Sequence, residues 1–114
     1  MKLSFSELAA DTAIGSFAGD NLDSSNVKAF REQAEPWAAR CQTLILDLSA
    51  LNFVDSSGLG ALLSILRVMN GKDGQLRLFG LSRPVRALFE LVRMHRIFLI
   101  FNTREEALED LPGV

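Results

Sequence analysis

The chain has 114 residues, 48% hydrophobic and 23% charged, with one cysteine; this is the size and balance of a single domain spanning 1–114, which excludes a disordered, collagen-like or disulfide-framework protein and argues against a two-lobed enzyme. A formal charge of -2 gives no pull towards phosphate backbones or anionic lipid, so no nucleic acid is expected as a partner. Cys41 stands alone, the opening Met1-Lys2-Leu3-Ser4-Phe5 has no signal-peptide run, and no stretch reaches the roughly 18 apolar residues of a membrane span, so the expectation is a cytoplasmic protein without disulfide, cysteine-based metal cluster or direct membrane insertion.

Leu3 and Phe5 alternate with polar neighbours and residues 13–17 follow a polar turn, which predicts two strands in a hairpin. Ser24 and Ser25 offer N-caps for a helix with Val27, Phe30, Ala34 and Trp37 on its inner face, kinked or shortened at Pro36. Residues 44–48, an almost continuous apolar run, read as a strand buried on both faces. After Asn52-Phe53-Val54, the polar stretch Asp55-Ser56-Ser57-Gly58 opens a second helix; its inner face carries Leu59, Leu62, Leu63 and Leu66, and it ends near Asn70-Gly71. Leu76 and Leu78 mark another strand. Ser82 then caps a helix with Pro84 in its first turn and Val85, Leu88, Phe89 and Val92 inward. Residues 97–101 form the last strand, and Thr103 with Glu106 has capping-box spacing for a final helix over Ala107, Leu108 and Leu111. The order ββαβαβαβα predicts an α/β domain: about four helices on a mostly parallel mixed sheet of about five strands, the N-terminal hairpin antiparallel at one side.

In such a sheet function sits at the carboxyl ends of strands, which directs attention to the elbow at residues 55–58. A phosphate-binding loop is absent, because Gly71-Lys72 is followed by Asp73, and Gly58-Leu59-Gly60 lacks the third glycine of a dinucleotide fingerprint, Leu63 standing there. Val54 before Ser56, and Asp55 before Ser57, stand where a hydrolase elbow needs glycine. Ser25 and Lys28 match Ser-x-x-Lys without its companion motifs, and helix capping explains Ser25 better. The single histidine, His95, lies in the arginine-rich stretch Arg93-Met94-His95-Arg96 and reads as a surface residue; Arg83, Arg86, Arg93 and Arg96 read as a solvated helix face. No catalytic residue, cofactor or metal set emerges. Asp55 and Ser56 are ordinary caps by type, yet a phosphate on Ser56 would place its charge of about -1.5 to -2 where a helix dipole accommodates anions.

Residues 44–60, Leu-Ile-Leu-Asp-Leu-Ser-Ala-Leu-Asn-Phe-Val-Asp-Ser-Ser-Gly-Leu-Gly, closely resemble the signature of STAS domains, the family of bacterial anti-sigma factor antagonists. The likeness extends through the Gly19 to Asp23 turn, the Leu76 to Gly80 strand, the Pro84 to Phe89 helix and residues 103–108. It implies partner switching: the unphosphorylated chain binds an anti-sigma factor that is also a serine kinase and frees a sigma factor, phosphorylation ends the binding, and a phosphatase is a further partner. The phosphoacceptor of the family falls on Ser56. The implied partner surface takes in Asp23, Asp55, Ser57, Gly58 and Leu59, with Gly58 giving the partner access to the backbone. The turn from Gly19 to Asp23 is one residue longer than the common form, so Asp20 and Asp23 are both candidates to face the serine, Asp23 being preferred for its preceding leucine. Met94-His95 stands where many relatives have a glycine-containing turn. The runner-up reading is a STAS subunit of a membrane complex such as a lipid-transport ATPase. An enzyme acting on a small phosphorylated ligand ranks last, for want of a base or metal cluster.

Overall fold

Alternating side chains build the first hairpin, β1 (Leu3–Ala9) and β2 (Thr12–Phe17), which pair antiparallel with Phe5 opposite Gly15. The computed structural model describes residues 2–114. A Cβ on Gly15 would lie 2.4 Å from the Phe5 ring, and that ring in turn stacks on Trp37 at 5.6 Å between centroids. Glycine inside this strand therefore makes room for an aromatic ring across the pair.

Beyond the hairpin come β3 (Asn21–Leu22), α1 (Val27–Arg40), β4 (Thr43–Asp47), β5 (Phe53–Val54), α2 (Ser56–Gly71), β6 (Gln75–Phe79), α3 (Arg83–Leu91), a 3-10 turn at Met94–Arg96, β7 (Leu99–Phe101) and α4 (Arg104–Ala107). The main sheet has the order β1-β2-β4-β6-β7, parallel in every pair but the first, so the predicted α/β architecture is the observed one. Its middle strand explains the unbroken apolar run. Leu44 and Leu46 enter the large core with Phe30, Ala34, Leu62, Ile65, Met69 and Phe89, whereas Ile45 joins Ile14, Phe79 and Ala107 on the opposite face. Burying both faces removes the polar alternation that an exposed face would demand.

Several local expectations need correction. Neither Ser24 nor Ser25 caps α1; Asn26 holds that position and makes no side-chain cap bond. Its side chain instead ties down the preceding turn, accepting from the Asp23 amide at 2.9 Å and donating to the Asn21 carbonyl at 2.9 Å. Pro36 does not shorten α1, which continues to Arg40; the carbonyl it leaves without a partner belongs to exposed Glu32, where water can serve. Val92 lies past the end of α3 and is exposed rather than inward. The last strand is shorter than expected, because the amides of Ile97 and Phe98 both turn back to the Met94 carbonyl. Phe98 remains buried all the same, 5.5 Å from the Phe89 ring. The capping box of α4 forms as predicted, with Thr103 and Glu106 each bonding the other's amide.

Candidate functional site

The elbow hangs on a second, two-stranded sheet that sequence periodicity does not reveal. β3 and β5 pair in parallel, Asn21 beside Phe53 and Leu22 beside Val54. At its start the amides of Asn52 and Phe53 both donate to the Asp20 carbonyl, at 2.8 and 3.3 Å; at its end the Asp55 amide donates to the Leu22 carbonyl at 3.3 Å. The register places Asp20 level with Asn52, while Asp23 continues past Leu22 to the level of Asp55. The two candidate aspartates are thus separated by the length of this small sheet, and Asp23 is the one beside the elbow.

Asp55 joins the two loops. One carboxylate oxygen accepts from the Gly58 amide at 2.9 Å, which caps α2, and the other accepts from the Ser24 amide at 3.1 Å. Charged acceptors on backbone N-H groups make strong bonds, and here one side chain satisfies a free amide of the helix and fixes the turn after β3. Asp23 is committed within its own turn. It accepts from the Asn21 side chain at 2.8 Å, from the Ser25 amide at 2.9 Å and from the Ser25 hydroxyl. The Ser25 hydroxyl, then Asn21, then the Ser25 amide hold the Asp23 carboxyl below its ordinary pKa.

Ser56 is the first residue of α2 and is exposed, with Ser57 half-buried behind it. The cap is therefore Asp55 and not Ser56. Gly58 and Leu59 are buried. A Cβ on Gly58 would stand 2.2 Å from the Leu22 carbonyl oxygen, so the missing side chain lets α2 start against β3. On its Cβ side, Gly58, expected to give a partner access to the backbone, is in contact with β3. Leu59 likewise belongs to the core.

The structure brings Asp23, Ser24, Asp55 and Ser56 together at the carboxyl ends of the parallel strands. Sequence reasoning missed one member. Ser24 contributes only its amide, which no residue type announces. Phe53, on β5 just before the elbow, is 54% exposed. His95 follows α3 at the amino end of β7, with a ring nitrogen 3.5 Å from the Phe89 carbonyl, at the opposite end of the sheet from Ser56. Among the described residues no three His, Cys, Asp or Glu side chains are grouped to hold a metal, and no helix is long and apolar enough to cross a membrane.

Against known proteins, the STAS domain model matches residues 14–107. The chain belongs to the STAS family. Among its relatives, the anti-sigma F factor antagonist of Paenibacillus polymyxa is 32% identical over 75 residues, covering 66% of this chain and 64% of that protein, just under two thirds of its length. The anti-sigma-B factor antagonist of Listeria monocytogenes is 27% identical over 91 residues, 79% of this chain and 80% of that one. Among solved structures, the STAS fold here resembles the anti-sigma factor antagonist SpoIIAA in its unphosphorylated form, with a TM-score of 0.75 at 22% identity over 99% of this chain and 100% of the other. The phosphorylated form of SpoIIAA from Bacillus gives 0.72 at 23% identity, over 95% and 97% of the two chains.

Proposed function

We propose that this STAS domain is an anti-sigma factor antagonist that acts by partner switching. Unphosphorylated, it binds an anti-sigma factor that is also a serine kinase and releases a sigma factor; phosphorylation of Ser56 ends the binding, and a phosphatase resets the cycle. The observation that carries this reading is the division of labour at the elbow. Asp55 provides the helix cap and the tie to Ser24, which leaves the Ser56 hydroxyl exposed and free of structural duty beside the Asp23 turn. A phosphate there meets the positive end of the α2 dipole, so the fold can hold the anion while the surface changes from neutral to strongly negative.

The partner-facing set is then Ser56 with Asp23, Asp55 and Ser57, while Gly58 and Leu59 hold the elbow from beneath. On this reading catalysis belongs to the partner, and the chain supplies a surface. The same exposed serine separates it from the role of a bracing subunit in a membrane complex, which has no use for a modifiable hydroxyl. The names of the Paenibacillus and Listeria relatives support the antagonist assignment. The test is to incubate the chain with ATP and each purified anti-sigma factor kinase of its own genome and to map the product. One phosphate at Ser56 is expected; a phosphate at Ser57, or none with any kinase, refutes the proposal.

A further inference from the structure

We propose that Phe53 is the apolar anchor of the partner interface, seated in an apolar socket of the anti-sigma factor beside the Ser56 contact. The inference rests on the antagonist reading and adds to it the residue that supplies affinity.

Phe53 is the one exposed phenylalanine of the eight in the chain, the other seven being buried or half-buried. Leu91, Val92, Ile97 and Leu99, also exposed, surround the end of α3 and the start of β7, away from the elbow. Val68 near the end of α2 and Val114 at the end of the chain are also exposed; among the described residues Phe53 is the exposed large apolar side chain at the elbow, three residues from Ser56, which is at most about 11 Å of chain. Both exist on one face of the molecule within the footprint of an ordinary protein interface, about 800 Å² per partner.

Its backbone is fixed. The Phe53 amide donates to Asp20, the residue pairs with Asn21, and the next side chain, Val54, is 5% exposed and anchored in the core. Strand alternation therefore turns the Phe53 ring outward by necessity, while the fold places no demand that the outward residue be aromatic. A ring displayed on fixed backbone loses little freedom when it is bound, which is the property of an interface hot spot. Around it stand exposed Asp20 and Asn52, half-buried Asp23 and Asp55, and Ser56, a polar rim about an apolar centre. The complementary partner surface is an apolar pocket edged by hydrogen-bond donors or basic groups that face the carboxylates. Phe53 and Ser56 then divide the work: the ring gives affinity, and the hydroxyl decides whether the dry contact can close.

The experiment titrates the parent, Phe53→Ala and Phe53→Thr against each purified anti-sigma factor of the same genome, with thermal melts and kinase kinetics alongside. Both substitutions remove the ring, and threonine keeps strand propensity. The expected result is that the parent binds one of these proteins, that both variants bind it about 10- to 100-fold more weakly, and that both melt close to the parent. The kinase should show a raised KM for the variants with kcat unchanged. If the parent binds but either folded variant binds within about twofold of it, the anchor role of Phe53 is overturned and the antagonist reading stands. If the parent binds none of them, both fall.

Discussion

Replacing Gly58 with alanine sets two opposed effects against each other. In the interior of an open helix alanine is favoured over glycine by about 1 kcal/mol. At Gly58 the new Cβ would lie 2.2 Å from the Leu22 carbonyl oxygen and 2.9 Å from its carbon. Even a close C-H to oxygen contact needs about 3.3 Å between heavy atoms, so α2 and β3 must separate by roughly 1 Å. Neither side of this contact is a flexible side-chain tip. The movement also strains the bond from the Asp55 amide to the Leu22 carbonyl and that from the Gly58 amide to the Asp55 carboxylate. Overpacking of this kind costs about 1 to 3 kcal/mol and a weakened hydrogen bond about 0.5 to 1.5. Set against the propensity gain, the net is a destabilisation of about 0.5 to 3.5 kcal/mol, or roughly 2 to 14 °C in Tm for a chain of this length. Gly60 is the internal control: it lies one position beyond Leu59 in the same helix, and a Cβ there meets nothing within 4 Å. Gly60→Ala should gain up to about 1 kcal/mol. Thermal melts and urea unfolding of the two variants decide the question. Gly58→Ala melting at or above the parent, or Gly60→Ala falling as far as Gly58→Ala, would refute the close-approach argument.

Other substitutions probe the elbow itself. Ser56→Ala should change stability by less than about 0.5 kcal/mol, because the cap is on Asp55, and should bind the anti-sigma partner while resisting phosphorylation; a loss of about 1 kcal/mol or more in urea unfolding would mean that Ser56 shares the capping. Ser56→Asp should fold like the parent but bind at least about a hundredfold more weakly in calorimetric titration, since an unpaired charge would be buried at the interface. Asp55→Ala removes the bonds to Gly58 and Ser24 together and should cost about 1 to 3 kcal/mol, measured by denaturant midpoint. The depressed pKa of Asp23 means that its contribution to stability is present above its unfolded value near 3.8 and is lost as pH falls through the lower folded value. The gap in urea midpoint between parent and Asp23→Asn should therefore be constant from pH 5 to 8 and narrow at pH 3; a gap that widens on acidification would contradict the assigned hydrogen bonds.

The elements that periodicity disclosed are those whose side chains answer to one layer of packing. Leu44, Ile45 and Leu46 announce a strand covered on both faces, Leu59, Leu62 and Leu66 a helix with one inner stripe, and Thr103 with Glu106 a capping box that depends on nothing distant. β3 and β5 escaped because two residues make no period, and their pairing depends on a contact between Leu22 and Val54 that only the folded chain supplies. The start of α1 was ambiguous for a different reason. Asp23, Ser24, Ser25 and Asn26 are all capping types, and the choice among them was made by competition, Asp23 taking the Ser25 hydroxyl and Asn26 turning back to Asn21. At the elbow the sequence displayed Asp55 and Ser56 as neighbouring polar residues without showing which one carried the helix. Gly58 was legible as special, but its reason, the Leu22 carbonyl, lies in another strand.

Because the side-chain cap at the mouth of α2 belongs to Asp55, the fold gives position 56 no capping duty, and that has an evolutionary reading. A domain of this shape can replace the serine with threonine, with an acid that imitates the modified form permanently, or with alanine that never responds, and in each case the scaffold beneath is undisturbed. Position 55 has no such freedom, since an exchange that removes its two acceptor oxygens loosens two loops at once. On the function proposed above, in which Ser56 is the phosphoacceptor, regulation is then gained, fixed in either state or discarded by single substitutions at one surface residue, without a compensating change in the core.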